Sequence, residues 1–166
     1  MLDLILFLKS VPLFQALTLE EIADLAERAE TVSLAAGRVV FEAGEPVRHF
    51  SVIRSGTVEL RIHGTAVDTI TRGASFGENA FIEDARHAVS GFAVTELVVM
   101  RFHRAVIADL VAEHPLVLPP VLGEWQQRVA RLYSRLANES AGQQPKQRLH
   151  LVHIAEENIR SPDECA

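Results

Sequence analysis

Five glycines divide the middle of the chain into short runs of β-branched and aromatic residues. They lie seven to twelve residues apart, at Gly37, Gly44, Gly56, Gly64 and Gly73. The runs between and after them cover residues 38–41, 50–53, 57–62, 67–70 and 97–102. Short strands separated by turns at this spacing are typical of jelly rolls and barrels. We therefore expect a mainly β fold with flanking helices, a double-stranded β-helix of the jelly-roll type.

Two of the runs alternate apolar and polar residues with a period of two, which assigns their faces. Val58, Leu60 and Ile62 are predicted to point into the core from the first run. In the last run the inward residues are predicted to be the set Val98, Met100 and Phe102. Each strand is expected to have one solvent-exposed face.

Helical patterns flank the β region on both sides. A short helix is expected from Met1 to Leu8, and Thr18 with Glu21 has the spacing of a capping box that opens a helix over 19–29. A third helix is expected over 105–113, and Pro119-Pro120 opens a longer one. We predict one domain over 1–140, with a β-roll at about 31–104 and a C-terminal helix at about 116–138. Residues 141–166 form a polar tail with an amphipathic segment at 149–159.

The long helix carries one apolar stripe, whose members recur every three or four residues. They are Val121, Trp125, Val129, Leu132 and Leu136. Such a stripe packs back on the β unit or pairs with a second copy of the chain, which predicts a homodimer as one arrangement. Trp125 and Tyr133 could cover a bound purine, although aromatic residues at this spacing more often serve packing.

Charge and cysteine content exclude several classes of function. With 16 basic and 22 acidic residues, the formal charge is −6, which disfavours nonspecific binding to nucleic acid or anionic lipid. The lone Cys165 permits neither an intramolecular disulfide nor a thiolate zinc cluster, which fits a reducing, cytoplasmic setting. No apolar run approaches the ~20 residues that cross a bilayer.

The segment from Gly73 to Ala88 contains the residues best suited to hold a small anion. After the Phe76-Gly77-Glu78 turn, the backbone N–H groups of Asn79 and Ala80 could bind a phosphate at a helix N-terminus. Arg86 would add a planar fork of donors. Glu78 would repel that anion unless it accepts hydrogen bonds from a sugar hydroxyl. Phosphate donors beside a hydroxyl acceptor describe a ribose phosphate site.

Across about residues 8–136 the chain resembles the cyclic nucleotide-binding domains of the catabolite activator type. The resemblance rests on several short motifs together: Pro12-Leu13-Phe14, Ala36-Gly37, Gly44, Ser55-Gly56-Thr57-Val58, Gly73 and Phe76-Gly77-Glu78. It implies an eight-stranded β-roll whose phosphate-binding cassette holds cAMP or cGMP, with cAMP favoured. It also implies a C-terminal helix that covers the site or forms a dimer seam. The predicted ligand-binding residues are Gly77, Glu78, Asn79, Ala80, Arg86, His87 and Ala88.

One departure from the family pattern concerns the cassette arginine. Family members place eight residues between the cassette Glu and Arg, whereas only seven separate Glu78 from Arg86. In one interpretation the cassette is a residue shorter, Arg86 holds the phosphate and His87 is a second donor. In the other, the ungapped register puts His87 in the arginine position, which weakens anion binding or makes it pH-dependent. We favour the first, because the long arginine stem can reach the same space.

The sequence favours binding over catalysis. Cupin-type metal sites need a His-x-His pair that is absent here, and no serine lies in a nucleophile elbow, so neither a metal cofactor nor an enzyme is expected. Transcription factors of the family carry a helix-turn-helix domain, and too little sequence follows the long helix for one, so no nucleic-acid partner is predicted. No membrane partner is predicted either, because the chain is acidic and has no apolar run of spanning length. The predicted function is a cyclic nucleotide sensor whose ligand shifts the C-terminal helix toward an unknown effector. The alternative is a degenerate roll that serves protein interaction or dimerisation.

Overall fold

The computed structural model describes the backbone of residues 2–82 and 84–140, and all their side chains except those of 81, 121, 125, 132 and 135–140. Within these residues, eight strands form two four-stranded antiparallel sheets. The strands are β1 Glu30–Leu34, β2 Val39–Phe41, β3 His49–Ser55, β4 Thr57–Ile62, β5 Thr65–Thr71, β6 Ser75–Phe76, β7 Ser90–Ala93 and β8 Leu97–His103. The first sheet has the order β1-β8-β3-β6 and the second β2-β7-β4-β5. The predicted β-roll with flanking helices is confirmed.

Four helices flank the roll: α1 Leu2–Ser10, α2 Leu19–Glu27, α3 Arg104–Glu113 and α4 Leu118–Ser140. Three 3₁₀ turns, Pro12–Phe14, Glu78–Phe81 and Pro115–Val117, connect elements. The last of these delays the start of α4 to Leu118. The predicted tail, with its amphipathic segment at 149–159 and Cys165, lies outside the described residues.

The central strands β8 and β3 of the first sheet carry buried residues on both faces, which corrects the expectation of one exposed face per strand, whereas the edge strand β1 has none that is fully buried. Met100 and Phe102 of β8 pack with Phe14 in a cluster formed by the helices. Leu97 and Val99 of the same strand lie in the second cluster, inside the roll. The helices cover one face of this sheet and the second sheet covers the other, so a period of two could not identify an exposed side. For β4 the prediction is confirmed, since Val58 and Leu60 are buried inside the roll and Ile62 packs against them.

The predicted capping box at the start of α2 is present. The Thr18 N–H donates to the Glu21 carboxylate at 2.6 Å, and the Glu21 N–H donates to the Thr18 hydroxyl at 3.3 Å. The hydrogen bond from the Thr18 backbone lowers the pKa of Glu21. His114, just after α3, reaches the same carboxylate at 3.2 Å. This one motif therefore starts α2 and ties it to the segment that leads into α4.

A second close contact fixes the corner between β3 and β4. Gly56 has φ +96, and a Cβ there would overlap the backbone carbonyl of Glu96. Only glycine fits this approach, because it lacks a Cβ and adopts positive φ without strain.

Among the described residues no single helix is long and apolar enough to cross a membrane. By length and composition alone, α3 and the first part of α4 pass only as a pair bent by 111°.

Candidate ligand-binding site

The predicted Phe76-Gly77-Glu78 turn lies directly against strand β3. Gly77 has φ +74, and a Cβ there would overlap the carbonyl oxygen of His49. Strand β6 therefore ends at a position that only glycine can occupy. The chain then enters the 3₁₀ turn Glu78–Phe81, which carries three of the predicted binding residues.

Glu78 points toward α4 and meets Arg128. One guanidinium nitrogen of Arg128 lies 3.4 Å from each oxygen of the Glu78 carboxylate, and another donates to the Ser75 carbonyl at 2.7 Å. Both side chains are largely buried, with exposed fractions of 16% for Glu78 and 10% for Arg128. Burial raises the pKa of Glu78, and the positive charge of Arg128 opposes that rise. The predicted hydroxyl acceptor is thus a buried carboxylate held by the long helix.

Further polar contacts extend this junction, which we call the α4 seam and define as Asp68, Ser75, Glu78, Glu124, Arg128 and Arg131. The Ser75 hydroxyl donates to the Glu124 carboxylate at 3.4 Å. Arg131 lies 3.6 Å from Asp68 Oδ2, which is an electrostatic contact too long for a good hydrogen bond. Asp68 Oδ2 and Arg128 Nε are both buried without a hydrogen-bond partner in the described part of the chain. The seam is therefore polar and incompletely satisfied.

Asn79 and Ala80 are held mainly by contacts within the segment. The N–H of Ala80 donates to the Gly77 carbonyl at 3.0 Å, so the 3₁₀ turn itself uses one of the two predicted phosphate donors. The Asn79 side chain donates to the Arg86 carbonyl at 3.4 Å. Asn79 thereby connects the beginning of the segment to its end, and its own backbone N–H remains the predicted donor.

Arg86 and His87 lie on different sides of the same backbone. The Arg86 side chain is exposed and donates to the Gly44 carbonyl at 2.7 Å. The His87 ring is half-buried and stacks on Phe41, with ring centres 4.4 Å apart. Burial lowers the pKa of His87, while the Glu45 carboxylate acts in the opposite direction. Ala88 is exposed.

The structure thus brings the predicted residues together in one segment but gives them different partners. Glu78 pairs with Arg128, Arg86 with Gly44, and His87 with Phe41. Arg128 was missing from the predicted site, since in the sequence it is one of several arginines beside the apolar stripe. Only the packing of α4 on the roll selects it.

Some predicted features fall outside what is described. Among the stripe residues, Val129 is half-buried, and the side chains of Val121, Trp125, Leu132 and Leu136 lie outside the described set. The dimer and the purine cover remain predictions. Among residues 2–82 and 84–140, no group of three or more His, Cys, Asp or Glu side chains is positioned to hold a metal ion.

Comparison with known proteins agrees with this architecture. A family model described as cyclic nucleotide-binding domain matches residues 31–114. The regulatory subunit of cAMP-dependent protein kinase from Emericella nidulans is 34% identical over 100 residues, which is 59% of this chain and 24% of that protein. The Colletotrichum orbiculare subunit is 30% identical over 107 residues, covering 63% and 27%. The chain spans about a quarter of the length of these relatives.

Solved structures share the fold. A cyclic nucleotide-binding-like protein from Brucella abortus is 30% identical with a TM-score of 0.59, covering 66% of this chain and 98% of that one. The cAMP-bound PfPKA-R fragment (141–441) has a TM-score of 0.70 at 18% identity, covering 78% of this chain and 45% of that one.

Proposed function

The chain belongs to the cyclic nucleotide-binding domain family, and from that premise we propose that it is a sensor module that binds cAMP or cGMP without catalysis. cAMP is the first candidate, because regulatory subunits of cAMP-dependent kinases are among its relatives. The proposed site is the 77–88 segment, and the proposed output is a change in how α4 packs on the roll. The effector that responds to α4 is a protein partner still to be identified.

The contact between Glu78 and Arg128 carries this proposal. A ribose hydroxyl that donates to Glu78 would share a carboxylate whose other partner lies on α4. The guanidinium contacts are long, 3.4 Å to each oxygen, so the carboxylate retains capacity to accept a shorter bond. A new hydrogen bond from the ligand to the Glu78 carboxylate would change the strength of its contact with Arg128, and with it the packing of α4 on the roll. A ligand shifts a conformational equilibrium through this kind of differential interaction.

The phosphate end of the site has two candidate donors. One guanidinium nitrogen of Arg86 donates a hydrogen bond to the Gly44 carbonyl at an exposed position. Water can replace that bond at little cost in free energy. The other nitrogens of Arg86 can therefore reach an anion. His87 has a pKa lowered by burial and offers one N–H donor when neutral. We propose Arg86 as the principal phosphate ligand and His87 as the second donor.

Isothermal titration of the chain with cAMP and cGMP tests the proposal, using Arg86→Ala and His87→Ala together with Arg38→Ala as a control. Arg38 is an exposed arginine outside the segment. We expect Arg86→Ala to weaken binding by at least roughly tenfold, the loss of a charge-assisted bond, and Arg38→Ala to leave it unchanged. A larger loss in His87→Ala would assign the phosphate to His87 instead. No heat from either nucleotide with the wild-type chain would reject the sensor.

A second candidate is a roll that binds no nucleotide and serves as an interaction or dimerisation module. It is favoured by the internal use of the predicted donors, since the Ala80 N–H and one Arg86 nitrogen already bond to backbone carbonyls. Sedimentation analysis separates the two candidates. Concentration-dependent dimers without nucleotide binding would support this second function.

A further inference from the structure

A cleft opens inside the roll on the side of the first sheet. Its volume is about 320 Å³. Apolar side chains from four strands, β1, β2, β6 and β8, line its inner part, among them Val32, Val40, Phe41, Phe76 and Val99. Clefts that bind small molecules measure roughly 300–1,000 Å³ and combine apolar walls with a few polar groups. This cleft lies at the small end of that range.

The cleft is separate from most of the proposed nucleotide site. Of the seven predicted binding residues, only His87 borders it. The Phe41 ring stacks between His87 at 4.4 Å and Phe76 at 5.1 Å, and these three rings form one wall. Glu78 and Arg86 take no part in the lining.

The rim of the cleft carries an excess of positive charge. Arg48 and Arg101 border it, against the single carboxylate of Glu45. Glu45 accepts a hydrogen bond from the Glu42 N–H at 3.1 Å, and Arg101 contacts Glu30 at 2.8 Å. In the described part of the chain, Arg48 forms no ion pair. On a protein with a net charge of −6, an unpaired arginine at a cleft mouth favours an anion locally.

Two neutral polar groups also line the cleft. Ser51 and His49 both border the cleft. Burial lowers the pKa of His49, and the neighbouring charges of Arg101, His103 and Arg48 lower it further, while the Glu30 carboxylate acts in the opposite direction. The imidazole is thus neutral near pH 7 and offers one donor and one acceptor. A ligand head group can therefore meet a cation and hydrogen-bonding groups at one end of the cleft.

We propose that this cleft is a second ligand site, which takes a small monoanion with an apolar body, such as an aromatic carboxylate. The carboxylate lies at Arg48 and Arg101. The apolar body packs against Val40, Phe41 and Val99. Arg48 supplies the unpaired guanidinium that a carboxylate binds most strongly. Arg101 adds only the nitrogen that Glu30 does not use, since Glu30 accepts from the other two. The apolar walls add the free energy of burying the body.

Phenylacetate and its uncharged analogue phenylacetamide are suitable probes, followed by NMR amide shifts on titration of the full chain. We expect phenylacetate to shift the amides of Ser51 and Val99 saturably, and phenylacetamide to bind at least roughly tenfold more weakly. Arg48→Gln should weaken phenylacetate binding by a similar factor, while Arg38→Gln leaves it unchanged. Because Arg48 is exposed, its replacement does not threaten the fold.

A second pair of variants tests the position of the apolar body. Val40→Trp fills the cleft, whereas Val39→Trp adds the same ring at an exposed neighbouring position of β2. Only the first should abolish the shifts. Equal binding of both probes, an unchanged affinity in Arg48→Gln, or no shifts at millimolar phenylacetate would overturn the proposal. Displacement of phenylacetate by cAMP would also overturn it as a separate site.

Discussion

Replacing Arg128 with methionine tests whether α4 is held on the roll by a buried charge pair. Methionine keeps the aliphatic part of the arginine side chain but removes its guanidinium group, and leaves the Glu78 carboxylate buried without a cation. Removing one partner of a buried pair costs ~3–5 kcal/mol. Here the 3.4 Å contacts are long, and protonation of Glu78 limits the penalty to ~1.4 kcal/mol for each pH unit above its pKa. Loss of the 2.7 Å bond to the Ser75 carbonyl adds about 1 kcal/mol. We expect Arg128→Met to lower the free energy of unfolding by ~2–4 kcal/mol at pH 7.

The pH dependence of that loss has a definite sign. Burial raises the pKa of Glu78 in the folded chain above its pKa in the unfolded chain. Stability therefore falls as the pH rises from the unfolded-state pKa to the folded-state pKa and beyond, because the folded chain must then bury an ionised carboxylate. Without Arg128 the pKa rises further, and the deficit of Arg128→Met should grow from pH 5 to pH 8. Urea unfolding of both proteins at each pH measures this difference in the free energy of unfolding. Glu78→Gln in the Arg128→Met background should restore part of the loss, because it removes the buried charge. A deficit that is independent of pH and unrelieved by Glu78→Gln would refute the reasoning.

Three other predictions, made for five substitutions, can be checked by unfolding free energies. Gly77→Ala should lower the free energy of unfolding by more than ~2 kcal/mol, because its Cβ overlaps the His49 carbonyl. Gly64→Ala, also at positive φ but in open space, should lower it by only ~1 kcal/mol. Equal losses would contradict the close contact. Thr18→Ala should lose ~1 kcal/mol with the capping box, and an unchanged stability would show that the cap is dispensable. Val99→Ala should lower the free energy of unfolding by ~1.5 kcal/mol and Met100→Ala by ~2–5 kcal/mol, since both faces of β8 are buried. An unchanged stability in Val99→Ala would support the original prediction of an exposed face.

The strands that the sequence predicted are those with strong local patterns. β4 alternates cleanly because one face is buried inside the roll, and β2, β3, β5 and β8 are rich in β-branched or aromatic residues. β6 has only two residues, and β7 contains Ser90 and Gly91, which have low strand propensity. These strands depend on their partners: β7 lies between β2 and β4. A local sequence pattern cannot identify a strand that forms only because neighbouring strands pair with it.

The candidate site was predictable in part for a similar reason. The Phe76-Gly77-Glu78 turn is a local motif, and the structure gives its glycine a contact that no other residue permits. Arg128 lies fifty residues from Glu78 in sequence, and its partner is set by the rotation of α4 on the roll. The side chains of Arg86 and His87 point to different surroundings because the backbone pairs with the Gly44 to Val47 loop. Motif spacing alone could not choose between them.

The proposed transfer of a binding signal to α4 is tested most directly by tryptophan fluorescence. Trp125 is the single tryptophan of the chain and lies on α4, so its emission reports on this helix. We predict that cAMP changes the emission saturably in the wild-type chain. In Arg128→Met, cAMP should still bind by calorimetry while the emission change is reduced. Binding heat without any emission change in the wild-type chain, or an equal change in Arg128→Met, would contradict the proposed route through Glu78 and Arg128.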